Sequence, residues 1–124
     1  MWLSAVDGGR PHTRPVWVVG LPEGFAFSTG SPVLRRACDG GPVSITTEDG
    51  DEPVILEGTA RRVPDRAVLD RFAVAITTKY DWPTRATADG MVDADGNAGP
   101  VFILRPVRAF GWGRDMAHPT RWRF

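Results

Sequence analysis

The sequence predicts a mainly β fold: a small antiparallel barrel of six strands with one or two helices packed against it. Three observations carry that expectation. Short β-branched and aromatic runs in the first half are separated by the turn signals "DGG", "PEG" and "EDGDE". Only one long stretch, from Asp65 to Tyr80, places its apolar residues at helical spacing. The 124 residues show no repeat, linker or shift of composition, so the chain is expected to form one domain over residues 1–124. A barrel answers the edge-strand problem by closing, which suits so many short strands in so small a chain.

Taken in order, "WLSAV" (Trp2 to Val6) is a first strand running into Asp7-Gly8-Gly9, where glycine tolerates the positive φ of a tight hairpin. "RPVWVVGL" (Arg14 to Leu21) and "FAFST" (Phe25 to Thr29) continue an antiparallel meander around "PEG". "SPVLRRAC" predicts a short helix with Ser31 as N-cap and Pro32 at the first helical position. Gly40–Thr47 and Pro53–Val63 are two further strands, and Gly58 inside the second marks a bulge or a close backbone approach. In the main helix Val68, Leu69, Phe72 and Ile76 share one face, and Asp65 caps its start. The stretch "DWPTRATADGMVDADGNAG" breaks all periodicity and is expected to be a loop. "PVFILRPVRAFGW" is the longest strand, apolar on both faces. Such a strand needs a barrel interior on one side and, on this expectation, a partner subunit on the other.

Composition excludes several classes. Fifteen basic and fifteen acidic side chains cancel, so the uncompensated basic face of a nucleic-acid binder is missing. No apolar run approaches membrane-spanning length and no signal-peptide pattern opens the chain, which predicts a cytoplasmic protein with no membrane role. The single Cys38 allows neither an internal disulfide nor a multi-cysteine metal site, and reads as a small semi-buried thiol. Asp89, Asp93, Asp95 and Asn97 lack the closing glutamate and flanking helices of a calcium loop, so no metal is expected. His12 and His118 stand alone, and no serine or cysteine sits in a nucleophile motif.

The stretch "STGSPVLRRACDGG" combines hydroxyls, glycines and a helix start with two arginines, which is the chemistry of an anion site; the alternative is a capped polar turn followed by a solvated pair of charges. Arginine must carry any such site, because the chain has fourteen arginines and only Lys79 as lysine. Trp17, Trp82 and Trp122 lie beside Arg, Pro or Asp on predicted strand ends and loops, where tryptophans wall planar-ligand pockets or fill interfaces.

The order "DGGRPHTRPVW", "FSTGSPVLRR", "PVILEGTARRVPDR", "TTKYDW", "FILRPVRAFGWG" and "TRWRF", with Glu57, Gly58 and Ala60 in the third block, resembles the flavin-binding split-barrel superfamily. That superfamily includes pyridoxamine 5'-phosphate oxidase-like proteins and deazaflavin (F420)-dependent reductases. The resemblance implies a six-stranded Greek-key split β-barrel that forms a homodimer, with FMN or coenzyme F420 in a cleft between subunits. It implies an oxidoreductase passing hydride to a small conjugated organic substrate. The alternatives are a non-catalytic flavin, F420 or planar-ligand binding protein and a cofactor-free barrel with a biosynthetic role. Two departures stand out. The helix that usually precedes the first strand is expected to be absent, and Val33 replaces the lysine that commonly holds the cofactor phosphate. Carried onto this chain, Thr29, Ser31, Arg35 and Arg36 would hold phosphate, while Arg14, Val16 and Trp17 would flank the ring. Tyr80 and Trp82 would face substrate, with Tyr80 as a proton donor, and Arg121 and Trp122 would close the cleft from the partner.

Overall fold

The computed structural model describes the whole chain, Met1–Phe124. Strands β1 (Trp2–Asp7) and β2 (Arg10–Pro15) form a hairpin at the predicted turn, with Gly8 and Gly9 at φ 57° and 75°, and β2 begins four residues before the strand expected there. Strands β3 (Val18–Leu21) and β4 (Gly24–Ser28) form a second hairpin, followed by helix α1 (Pro32–Ala37). Strands β5 (Pro42–Thr46) and β6 (Val54–Arg62) precede the long helix α2 (Arg66–Tyr80). Three short strands follow, β7 (Thr84–Ala86), β8 (Met91–Asp93) and β9 (Ala98–Gly99), and then β10 (Val101–Gly111) and β11 (Thr120–Arg123).

All pairings are antiparallel, and the main sheet runs β2-β1-β5-β6-β10-β4-β3. β10 organises it. One edge pairs with β6 along its length; the other pairs with β4 through Val101–Leu104 and with β11 through Arg108–Gly111. No ladder joins the two outer strands β2 and β3, although the chain passes directly from one to the other. This makes the barrel split.

That crossing corrects the expected strand Arg14–Leu21. It divides at Val16 and Trp17 because β2 pairs with β1 at one edge while β3 pairs with β4 at the opposite edge. Pro15 has no N–H for a continuing ladder, and the Val16 N–H donates to the Met1 carbonyl at 2.9 Å. Gly58 behaves as predicted. A Cβ there would collide with the Arg105 carbonyl, and the ladder slips one residue on the facing strand, between Pro106 and Arg108.

Two apolar clusters hold the molecule. The barrel interior contains Leu3, Phe27, Leu34, Ile45, Phe102 and Leu104, all close to fully buried. The second cluster lies on the outer face, where Val68, Leu69, Phe72 and Ile76 of α2 pack over Val19, Val101 and Ile103. Each of those four helix side chains contributes about 1.5–3 kcal/mol by burial. The Asp65 carboxylate accepts from the Val68 N–H at 3.1 Å as N-cap, and Asp81, in the left-handed conformation at φ 51°, ends the helix. At the start of β10 the second apolar face is covered from within the chain: α2 packs over Val101 and Ile103. Beyond Leu104 the cluster under α2 ends, and Val107 is 53% exposed.

The predicted loop after α2 is a three-stranded sheet, β7-β8-β9. Its strands of three, three and two residues are too short for any alternation to register in sequence. Asp93 closes the β8–β9 turn, its Oδ1 accepting from the N–H groups of Asp95 and Asn97, each at 2.9 Å. No helix is long and apolar enough to cross a membrane.

Candidate functional site

Where the split of the barrel meets α2 and the small sheet, a cavity of about 390 Å³ opens. That volume lies within the range typical of small-ligand sites, about 300–1,000 Å³. Its walls come from the β2–β3 crossing (Pro15, Val16, Trp17), the end of β4 (Ser28, Thr29, Gly30), Arg35 of α1, Glu48, α2 (Phe72, Ile76), Trp82 and the small sheet.

One wall is aromatic. Trp17 stacks on Tyr80 at 4.6 Å between centroids and 7° between planes, and Trp82 meets Trp17 edge-on at 6.1 Å. Trp17 remains 46% exposed, so its indole is a flat apolar surface held from behind. Tyr80 does the holding. Its hydroxyl accepts from the Val18 N–H at 2.9 Å and donates to the Val18 carbonyl at 3.0 Å. Lys79 Nζ donates to that same carbonyl at 2.7 Å. These contacts satisfy the first residue of an outer strand, and they fix Trp17, its neighbour.

The opposite end is polar. Ser31 caps α1, its Oγ accepting from the Leu34 N–H at 3.4 Å, and Pro32 follows as predicted. From the first turns of α1, Arg35 reaches back to the cavity. Its Nε donates to the Thr29 carbonyl at 2.6 Å and its Nη2 to the Ala98 carbonyl at 3.2 Å. The guanidinium thus ties the β4–α1 connection to β9. Two of its five N–H donors are used this way, which leaves three for a ligand. Gly99 makes the approach possible, since a Cβ there would collide with the guanidinium. The N–H groups of Trp17 and Gly30 are also left free by the chain's own hydrogen bonds.

Of the residues singled out from sequence, Val16, Trp17, Thr29, Arg35 and Trp82 line this cavity. Arg36 does not. One residue further round the helix, it pairs with Asp7 at 3.1 Å on the β1–β2 hairpin. Arg14 also turns away, donating to the Thr13 carbonyl at 2.8 Å, and Pro15 takes the place expected for it. Ser31 contributes as the cap, outside the lining. Tyr80 lies behind Trp17, with its hydroxyl committed to Val18, and so is not positioned as a proton donor to the cavity. Arg121 and Trp122 are on β11 beside Phe110 and Ala109, outside the lining of this chain's cavity. Cys38 is fully buried in the barrel, and burial pushes its thiol up to about 11, so the adjacent arginines do not activate it.

Sequence reasoning missed Met91, Asp93, Asn97 and Ala98, which the small sheet brings to the cavity. The Asn97 side-chain amide, against the opposing effect of burial, holds the Asp93 carboxyl below the usual carboxylate range. The Asn97 N–H, the Trp82 indole and the Asp95 N–H add to it. The available signal was the D-x-D-G-N turn, which marks a reversal between two strands as well as a solvated acidic loop.

Comparison with known proteins bears on the fold. No family model matches the chain. The FAD-dependent monooxygenase janM of Penicillium janthinellum is 29% identical over 98 residues, 77% of this chain and 19% of that protein. The chain therefore spans about a fifth of the length of that relative. Among solved structures, a NimC/NimA family protein of Clostridium acetobutylicum superposes with a TM-score of 0.71 at 12% identity, over 99% of this chain and 83% of the other. A protein related to general stress protein 26, of the pyridoxine phosphate oxidase family and also from Clostridium acetobutylicum, gives 0.63 at 10% identity, over 99% and 84%. The split β-barrel expected from the resemblance is the fold the chain adopts.

Proposed function

We propose that the protein binds a flavin, FMN or the deazaflavin F420, in this cavity and acts as an oxidoreductase on a small conjugated organic substrate. One observation carries the reading: a single cavity joins a flat, back-supported indole to a guanidinium with three spare donors. A flavin has the matching halves, a planar ring and an anionic tail. The names borne by janM and by the pyridoxine phosphate oxidase family protein point the same way.

In this reading Arg35, the Gly30 N–H and Thr29 hold the phosphate, Arg35 standing in for the lysine that Val33 replaces. Val16 and Trp17 flank the ring, and the free Trp17 N–H meets its polar edge. Trp82 and Asp93 bound the substrate side. The bound cofactor supplies the hydride chemistry, and the chain orients both molecules and excludes water. A second copy of the chain completes the cleft, with its Arg121 and Trp122 as the closing residues.

Titration of FMN, FAD and F420, followed by cofactor absorbance and tryptophan quenching, tests the binding. Arg35→Ala is expected to weaken affinity about 10- to 100-fold, the worth of one or two charge-assisted hydrogen bonds. Arg36→Ala is expected to leave it unchanged. Equal dissociation constants for wild type and Arg35→Ala would defeat the assignment. A second reading, a carrier that binds the cofactor without turnover, is favoured by Tyr80, whose hydroxyl is committed to Val18 and offers the cavity no acid. Turnover with the reduced cofactors separates the two.

A further inference from the structure

A second cavity, of about 290 Å³, lies on the outer face of the sheet where β6 and β10 run under the start of α2. Its floor is apolar, with Val63, Val68 and Ile103, and its rim carries Arg61, Arg105 and Thr59. The register explains the arrangement. Arg61 stands opposite Ile103, and Thr59 opposite Arg105, so both arginines are on one face of the sheet in diagonal positions. Diagonal neighbours are about 7–8 Å apart at Cα, within reach of one small anion between two guanidiniums.

The charges around them do not cancel. Glu23, on the cavity wall, pairs with Arg71 of α2 through Oε1, while its buried Oε2 has no hydrogen-bond partner; this one carboxylate faces the two arginines. Asp89 lies 3.8 Å from Arg62, and Glu57 pairs with Arg108 at 3.0 Å, outside this cavity. Neither Arg61 nor Arg105 has a carboxylate within ion-pair distance. Like charges on neighbouring strands repel, and a low-dielectric floor beneath them strengthens the repulsion. An anion relieves it.

From this geometry we infer a second ligand site, separate from the cavity at Trp17 and Arg35, for a small organic anion: a carboxylate or phosphate monoester on an apolar body. The guanidiniums and the Thr59 hydroxyl take the acidic group, and Ile103, Val63 and Val68 take the body. The site shares no residue with the first cavity, so it does not depend on the flavin reading.

Calorimetric titration of the whole chain with phenyl phosphate and with benzoate tests the site and tells the two headgroups apart. Methyl NMR of Ile103 and Val68 locates the binding. The expected result is saturable binding at about millimolar dissociation constant, perturbing those methyls. Arg61→Ala or Arg105→Ala should each weaken binding about tenfold, the double variant should abolish it, and rising salt should weaken it. Arg108→Ala should leave the perturbation of those methyls unchanged. Because Arg61 and Arg105 are exposed, the variants are expected to fold, which their circular dichroism checks. Absence of saturable binding, or an undiminished affinity in the double variant, would overturn the site.

Discussion

The outer face of the sheet has two halves with different fates. Over β3, β4 and the first four residues of β10 it is covered by α2, and Val101 and Ile103 are buried on this side as Phe102 and Leu104 are on the other. Over β1, β5, the start of β6 and the end of β10 α2 does not reach it, and only Trp112 and Arg121 lie against Phe110 there. Trp2 and Val107 are 45% and 53% exposed there. The two halves share one sheet and one interior, so the difference lies in what α2 can span. Fifteen residues at 1.5 Å rise cover about 22 Å, less than the full width of a seven-strand arc. The first cavity sits at the margin of the covered half, where α2 has an edge and the barrel has its split.

The largest expected effect tests the covered half. Phe72→Ala removes a ring buried between α2 and the sheet, at 1% exposure, and should cost about 3–5 kcal/mol in denaturant unfolding. A loss below 1 kcal/mol would mean that α2 is not a fixed layer of the fold.

Next comes the interior beneath the half that α2 does not reach, where Cys38 packs with Leu3, Val43 and Ile45. Its folded thiol is raised from 9.0 to about 11, so the folded state binds the proton more tightly than the unfolded chain. That stability is fully present below the unfolded value and is lost as pH rises from about 9 to 11. The loss reaches about 2–3 kcal/mol at the upper end. Cys38→Ala should lack this component of the alkaline decline. Unfolding curves at pH 8 and pH 10.5 for both proteins measure it, and parallel declines would show that the interior is wetter than its packing implies.

A smaller effect concerns the margin. Tyr80→Phe keeps the ring against Trp17 but loses both hydrogen bonds to Val18, and is expected to cost about 1–2 kcal/mol. It should also broaden the Trp17 environment in fluorescence. An unchanged spectrum would show that stacking alone fixes the indole.

The smallest effect belongs to the half beyond α2. The double change Trp2→Ser and Val107→Ser should alter unfolding of the isolated chain by no more than about 0.5 kcal/mol. If a second copy docks on this face, sedimentation of the variant should show weaker self-association than wild type. Equal association would place the contact elsewhere.

Parts of this architecture were legible residue by residue. The Gly8–Gly9 turn, the Ser31-Pro32 helix start, the Asp65 cap and the apolar stripe of α2 are each decided within a few residues, by φ preference, a local hydrogen bond or helical period. Trp17, Thr29 and Arg35, singled out by their own neighbourhoods and the resemblance they carry, line the first cavity.

What the tertiary structure decided is of another kind. Sequence does not separate Arg35 from Arg36. Which one enters the cavity depends on where β9 and the β1–β2 hairpin lie, since their carbonyls and carboxylate draw the two guanidiniums apart. Likewise the residues from Trp82 to Gly99 have no period of their own. They become a wall only because the strands they form are held together by antiparallel pairing and packed against α2 through Ala86. Short strands have too few residues to bury a face by themselves, so their structure is supplied by contacts with distant chain, which no local window contains.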